Sequence, residues 1–495
     1  MAGIGFDLKK LFVGAGAIRK VRAYAYAGIV CSGTMLLAVV LLLGVQMLAR
    51  RFEATESGVS TLVALMVYAL MGSLLFSSVW QILLSRFVAD QLYEGRPERV
   101  MPSLLGASVL LMVPGGILYG FLLSSARSVS PLDRFLNWAF FMELLVVWLQ
   151  MTYITAVRNY RQILRIFFLG VVMTLMLGWL LLSAGVSVLT ALLSAMVCGY
   201  GVMLIGFMVT LFRRFPRAEG SVFTFLSWIR KAPQLVWIGF FSMAGAFVHL
   251  LVMWFGPQGE SIMGLFRFSP AHDTAAFFAF LVTVPANINF VVSVEVNFYQ
   301  HYRRYFAAVT GSGTLAELAL AREGMITSLQ QEVFKLTQLQ LFFMVAYSLL
   351  MRYVLEATGF TRPMIGTFQV MCVGYSAYAV GNSLMLTQLY FDDRKGALAT
   401  CLVFFGLNLG ITLYTMNSSG AYDGMGLAVA GVAMHLTGLF RLMRYVRNID
   451  FHVYCGQPVL SQHHSEGKAN LIQRFAWRAG AERQANPEEK KGEGI

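Results

Sequence analysis

Twelve long apolar stretches, separated by short polar gaps, set the pattern of this chain. A helix rises about 1.5 Å per residue, so about 20 apolar residues cross the roughly 30 Å hydrocarbon layer of a bilayer. The stretches predict membrane spans over 24–48, 59–85, 103–123, 136–157, 166–182, 188–212, 235–255, 274–298, 336–354, 365–390, 396–414 and 425–440. The first run far exceeds the roughly 7–15 apolar residues at the centre of a secretory signal, and it reads as the first membrane helix. The expected fold is therefore all-α and membrane-integral.

The polar gaps carry the orientation. With the N-terminus in the cytoplasm, only Arg50, Arg51, Arg127, Arg134, Arg267, Arg352 and Arg362 of the 38 Lys and Arg face outward. Positive residues concentrate on the cytoplasmic side of membrane proteins, so both termini are expected there. Six spans precede the basic segment 213–234 and six follow it. Two halves of like orientation predict a 6+6 parallel repeat about an axis along the membrane normal. The expected organisation is an interfacial segment 1–23, an N-lobe 24–212, a cytoplasmic linker 213–234, a C-lobe 235–443 and a polar, largely disordered cytoplasmic tail 444–495. A short amphipathic piece of that tail, 471–477, is placed to touch the membrane. The longest outer loop, 256–273, is too short for a domain. The cytoplasmic loop 299–335 shows helical spacing at Leu315, Leu318, Ala319, Ile326, Leu329 and Val333. Thr314 with Glu317 is the capping pattern that starts such a helix. Two readings stay open: a helix that lies along the membrane surface or docks a partner, or an inward extension of the ninth span.

Composition narrows the function. The chain is 57% hydrophobic with mean hydropathy +0.65, and 13% of it is charged. The net charge of +13 lies on short loops beside the membrane, where anionic lipid heads account for it, so nucleic acid is not an expected partner. Cys31, Cys198, Cys372 and Cys401 fall in spans and Cys455 in the tail, which predicts neither a disulfide nor a metal site. No G-x-x-x-x-G-K-[ST] sequence occurs, so ATP hydrolysis by this chain is not expected. Asp392–Asp393 has the look of a metal-binding pair, but Arg394 and Lys395 follow at once and a capped turn explains it better. No catalytic residues, metal or cofactor are expected.

Polar groups inside spans are costly and face a cavity or a partner. Glu143 lies within the fourth span, with Gln150 two turns along the same face. Glu295 is near the cytoplasmic end of the eighth span. His249 and His435 read as packing residues. The eighth span is the most polar. Pro285 should bend it; Asn287 and Asn289 follow, and Asn289, Ser293 and Asn297 step by four. Amides both donate and accept, which suits neutral hydroxylated ligands such as sugars. The second span carries Ser73, Ser77, Gln81 and Ser85 beside Trp80, and the tenth carries Tyr375, Tyr378 and Asn382. The competing explanation for the small polar residues is close helix packing.

Three segments are characteristic: MAGIGFDLKK at 1–10, NFVVSVEVNFYQHYRRYF at 289–306 and YFDDRKGAL at 390–398. Through them the chain, to about Leu460, resembles the PelG family, inner-membrane transporters of the Pel exopolysaccharide system. The resemblance implies the multidrug/oligosaccharidyl-lipid/polysaccharide exporter (MOP) superfamily. It implies two six-helix lobes around a cavity lined by spans one, two, seven and eight. It further implies an N-acetylgalactosamine-rich, partly deacetylated substrate exported for a biofilm matrix. The implied partners are a PelF-like cytoplasmic glycosyltransferase, a PelD-like cyclic-di-GMP receptor and a PelE-like membrane protein. It assigns no residues. Three alternatives stand beside this expectation: an ion-coupled drug exporter and a lipid-linked oligosaccharide flippase on the same fold, and a scaffold for the synthase.

Overall fold

The computed structural model describes residues 17–454 apart from 53–54, 158–159, 216, 312–313 and 418–422. The side chains of 17–27, 29–31, 156, 157, 160, 295 and 296 also fall outside the description. The expectations for 1–16, for the tail from 455 and for the side chain of Glu295 therefore lie outside the described residues.

The described chain is almost entirely helical. The long helices are α1 (Ala17–Arg51), α2 (Glu56–Tyr93), α3 (Val100–Ser124), α4 (Pro131–Val157), α5 (Tyr160–Ser183), α6 (Val188–Arg214) and α7 (Gln234–Phe255). A hairpin follows, β1 (Glu260–Met263) and β2 (Phe266–Phe268). Then come α8 (Pro270–Phe280), α9 (Val284–Val291), α10 (Tyr299–Thr310), α11 (Leu315–Ala357), α12 (Arg362–Tyr390), α13 (Arg394–Thr415), α14 (Met425–Arg447) and α15 (Ile449–Tyr454). Among the described residues, eleven helical stretches are long and apolar enough to cross a membrane, with α8 to α10 counted as one. The helix α12 is 29 residues long, but its Tyr, Ser, Gln and Asn content keeps it outside that apolar set. This is a multi-pass membrane protein.

Helix starts follow local chemistry. Thr314 and Glu317 form the reciprocal cap of α11. Ser130 and Asp133 bond to each other at the start of α4. The Asp393 carboxylate accepts the Gly396 N–H and opens α13, while Asp392 takes a left-handed turn at φ 64°. The acidic pair is thus a capped turn. Of the two readings for 315–335, the structure has the extension: α11 runs unbroken for 43 residues. At 1.5 Å per residue that is roughly 65 Å, about twice the hydrocarbon layer.

Packing follows one scheme in each part of the chain. Among α1–α6 the close pairs are α1 with α5, α2 with α4, α3 with α4, α4 with α6 and α5 with α6. In the second part α7 packs on α13, α8 on α12, α11 on α12, α12 on α14 and α13 on α14. The main contacts between the parts are α2 with α7 and α1 with α9. Glycine permits the closest crossings, because a missing Cβ lets backbones touch. A Cβ on Gly239 of α7 would sit 2.1 Å from the Ser78 carbonyl oxygen of α2.

The hairpin, not foreseen in the sequence, bridges the two parts at one end of the bundle. Ser261 pairs with Arg267 and Glu260 with Phe268. Tyr68 of α2 donates its hydroxyl to the Arg267 carbonyl and accepts the Arg267 N–H, both at 2.9 Å. Its ring stacks on Trp254 at 4.7 Å. Gly264, at φ +52°, turns the hairpin against the Ser125 carbonyl, and Leu265 N–H donates to Ser125 Oγ at 3.1 Å. At the opposite end a second apolar core gathers Phe298, Tyr302, Tyr305, Met325, Leu329 and Val446 beneath the projecting half of α11.

Candidate functional site

Proline shapes the polar eighth span. Pro285 has no N–H to return to the preceding turn, and the chain tightens into a 3-10 turn at Leu281–Thr283 before α9 begins. The break therefore lies just before α9, whose first turn holds Pro285. Side chains of α11 satisfy nearby carbonyls. Gln340 Nε2 donates to Val282 O at 2.8 Å, and Tyr347 Oη to Phe278 O at 2.8 Å. In a membrane such freed groups must find protein partners. After α9 the backbone widens into a π-helical segment, Val292–Phe298, a device that re-aims side chains and recurs at functional positions.

The amides of this span fall in three settings. Asn287 is half-buried. Asn289 is buried, and its Nδ2 has no hydrogen-bond partner among the described residues. Ser293, one turn on, is buried as well. Asn297 is exposed and donates to Glu332 Oε2 of α11 at 3.2 Å, while Lys335 Nζ holds Glu332 Oε1 at 2.9 Å. Asn297 and Glu332 stand at the edge of a groove of about 650 Å³ between α10 and α11. Its other walls are Gln300, His301, Glu323, Thr327, Ser328 and Gln331, with Leu320 and Gly324. A hydroxyl-rich ligand would meet donors and acceptors on every side there. The Pro-bent span thus leads from the amides of Asn287 and Asn289 to a polar groove at the end away from the hairpin.

The remaining candidates lie elsewhere. Glu143 and Gln150 of α4 both face α6. Glu143 Oε1 lies 3.4 Å from where a Cβ on Gly201 would be, and its Oε2 is buried without a hydrogen-bond partner among the described residues. Gln150 Nε2 donates to Leu204 O at 3.2 Å. Ser73 and Ser77 are fully buried. Each hydroxyl bonds its own helix, and they also receive Trp148 Nε1 and Gln81 Nε2 at 3.0 Å. Here Ser73 joins α2 to α4, while Ser77 bonds within α2. Tyr378 stacks on Phe404 at 5.0 Å, Asn382 is half-buried, and Tyr375 is buried and bonded to His249. The structure therefore gathers Asn287, Asn289 and Asn297 along one helix but does not bring Glu143, Gln150 or the serine stripe to them. Sequence reasoning missed Glu332 and His272. The polar face Glu323, Thr327, Ser328, Gln331 was the available sign of the first, and His272–Asp273 at the head of a predicted span was the sign of the second.

The fold defines the class first. An outward-facing multidrug resistance MATE family transporter of the MOP superfamily is similar at TM-score 0.59 and 12% identity, over 89% of this chain and 98% of that one. The MATE transporter VcmN of Vibrio cholerae in its bent form is similar at 0.57 and 13%, over 86% and 98%. A MOP superfamily transporter from Pyrococcus furiosus is similar at 0.54 and 12%, over 86% and 96%. The architecture is that of a membrane transporter of the MATE type. The chain belongs to the PelG family, described as "Putative exopolysaccharide Exporter (EPS-E)", whose pattern matches residues 1–454. Comparison with curated proteins finds no match.

Proposed function

We propose that this transporter carries a Pel-type polysaccharide, rich in N-acetylgalactosamine and galactosamine, across the bacterial inner membrane for a biofilm matrix. The observation that carries the reading is the eighth span: Asn287 and Asn289 within the bundle, then Asn297 at the polar groove beside Glu332. Amides and hydroxyls suit an uncharged sugar, and the two glutamates of the groove suit an amino sugar that has lost its acetyl group. The growing chain would enter from a cytoplasmic PelF-like glycosyltransferase, with PelD-like and PelE-like proteins beside it. The fold reads as twelve spans in two six-helix lobes with both termini cytoplasmic. The matched packing scheme of α1–α6 and α7–α14 supports that repeat, and the sorting of Lys and Arg supports the orientation. The groove then faces the cytoplasm and the hairpin the periplasm. Polymer synthesis supplies the push in this reading, and the chain itself carries out no chemistry.

The test is the double variant Asn287→Leu, Asn289→Leu in secreting cells. Normal membrane levels with loss of secreted polymer are expected; unchanged secretion would refute the assignment. A second reading, an ion-coupled exporter of cationic drugs, is favoured by Glu143, whose buried Oε2 has no hydrogen-bond partner among the described residues. It predicts lower drug accumulation when the protein is present and loss of that effect in Glu143→Gln.

A further inference from the structure

We propose that α5 and α6, at their end away from the hairpin, hold an anionic phospholipid, its phosphate between Arg165 and Arg213 and its acyl chains along the surface beside them. The two helices are antiparallel and packed on each other. Glycine brings their backbones together: a Cβ on Gly199 would lie 2.7 Å from the Gly170 carbonyl oxygen. Toward the far end Gln162 Nε2 donates to Thr210 Oγ1 at 2.9 Å, which sets the register. Arg165 lies just beyond Gln162 on α5 and Arg213 just beyond Thr210 on α6, and both are exposed. Their backbones stand roughly 9 Å apart along the axis. Cα–Cβ bonds tilt toward a helix N-terminus, so on these antiparallel helices the two long side chains set off toward each other.

The surface above the arginines has the shape of a lipid tail. Leu169 and Met176 continue the exposed stripe of Arg165 along α5, and Ile205 and Val209 lead to Arg213 along α6. Counted at about 100° per residue from the shared contacts, the two stripes turn to the same side of the pair. The other side is covered by α1 and α4. An apolar lane thus ends on two cations at the depth of a headgroup.

What separates these arginines from the other basic positions is the want of carboxylates. No Asp or Glu occurs between Glu143 and Glu219. The helix α1, packed on α5, has none. On α4, Asp133 and Glu143 lie in the first half, nearer the hairpin. Asp90 of α2 pairs with Arg86 at 3.4 Å, and the Glu219 N–H bonds the Glu98 carbonyl, which draws that residue toward the start of α3. In the second part of the chain α13 and α14 take the same places in the packing scheme, and there the cations are neutralised from within. Arg394 pairs with Asp392 at 2.9 Å and Arg441 with Asp393 at 3.7 Å. Arg165 and Arg213 receive no such partner from the helices around them, so a lipid phosphate supplies it through charge-assisted hydrogen bonds. The first part of the bundle is thereby tied to a charged leaflet at a place where the second part is balanced internally.

The test uses the full chain in an uncharged detergent, with native mass spectrometry counting the lipids it keeps. The probes are phosphatidylglycerol and phosphatidylcholine with the same acyl chains. Phosphatidylglycerol should fill one site at concentrations where phosphatidylcholine does not. Arg165→Gln with Arg213→Gln should weaken that site about 30-fold. Arg444→Gln with Arg447→Gln removes the same charge from exposed positions at the end of α14 and should leave it unchanged. Arg165→Lys with Arg213→Lys keeps the charge and should retain most of the binding, which separates loss of the site from loss of the fold. Equal weakening in the two Gln pairs would mean surface charge only and would overturn the proposal. So would equal binding of the two lipids, a loss in the Lys pair as large as in the Gln pair, or displacement by inorganic phosphate at the lipid's own concentration. The readout is blind to cargo, so it stands apart from the secretion test.

Discussion

Replacing Tyr68 by Phe removes one oxygen and two hydrogen bonds. The ring keeps its stack on Trp254 and its contact with Phe266 at 4.6 Å, so packing is unchanged. What is lost is a side chain of α2 that bonds the hairpin backbone through both groups of one residue, Arg267 N–H and C=O. Each bond contributes about 1 kcal/mol net, and stranding partly buried backbone groups adds to that, for about 2–3 kcal/mol in all. The loss should fall on local opening of the hairpin, because the helices beneath do not depend on it. At 1.4 kcal/mol per tenfold, the open population rises roughly 30- to 140-fold. Hydrogen exchange of the peptide containing Arg267, read by mass spectrometry on the full protein in lipid, measures this directly. Exchange should accelerate there and stay unchanged in α2 and α7. An unchanged rate at Arg267 would refute the reasoning, since it would mean the Tyr68 hydroxyl does not hold the hairpin. Acceleration spread over the whole bundle would refute it differently, by showing that Tyr68 supports the global fold.

Gly239→Ala pushes a Cβ into the Ser78 carbonyl, backbone against backbone, and should lower the thermal unfolding midpoint by an amount equal to about 1–3 kcal/mol of overpacking; Gly366→Ala, with open space at its Cβ, is the control and should be neutral or slightly stabilising. Glu332→Gln breaks the bridge to Lys335 but keeps an acceptor for Asn297, so stability should change by less than about 1 kcal/mol while polymer secretion falls. Asp450→Asn weakens the link from α15 to Tyr305 and Arg322, and limited proteolysis should then release α15 sooner, with an effect of about 1 kcal/mol for a half-exposed pair.

The spans were legible because their signal is additive: many apolar residues in a row point one way. The cap at Thr314 and Glu317 and the turn at Asp392–Asp393 were legible because both are local chemistry. Pro285 announced a bend, but the π-helical widening at 292–298 is set by packing against α11 and leaves no mark in composition. The hairpin escaped notice because 260–268 is short and lies between strong helical signals, and only Phe266, Arg267 and Phe268 alternate apolar with polar. The serine stripe shows the limit of pattern alone. Ser73 and Ser77 bond their own helix whether they face water or protein, so only the position of Trp148 decides between lining and packing. His249 and His272 sit on different helices, and Tyr375 is far along the chain. Their bonding is a product of tertiary structure, which no spacing rule contains. The candidate site was legible only as far as the amides of one helix; Glu332 enters through the fold.

A rod 43 residues long has a mechanical meaning. The apolar half of α11 is fastened to the kinked helix by Gln340 and Tyr347, at the two carbonyls beside its break. The other half protrudes and helps wall the groove. With no hinge between them, α11 acts as a crank: a tilt applied by whatever grips its free end reaches the kink without slack, and a shift of the kink is felt outside the membrane just as directly.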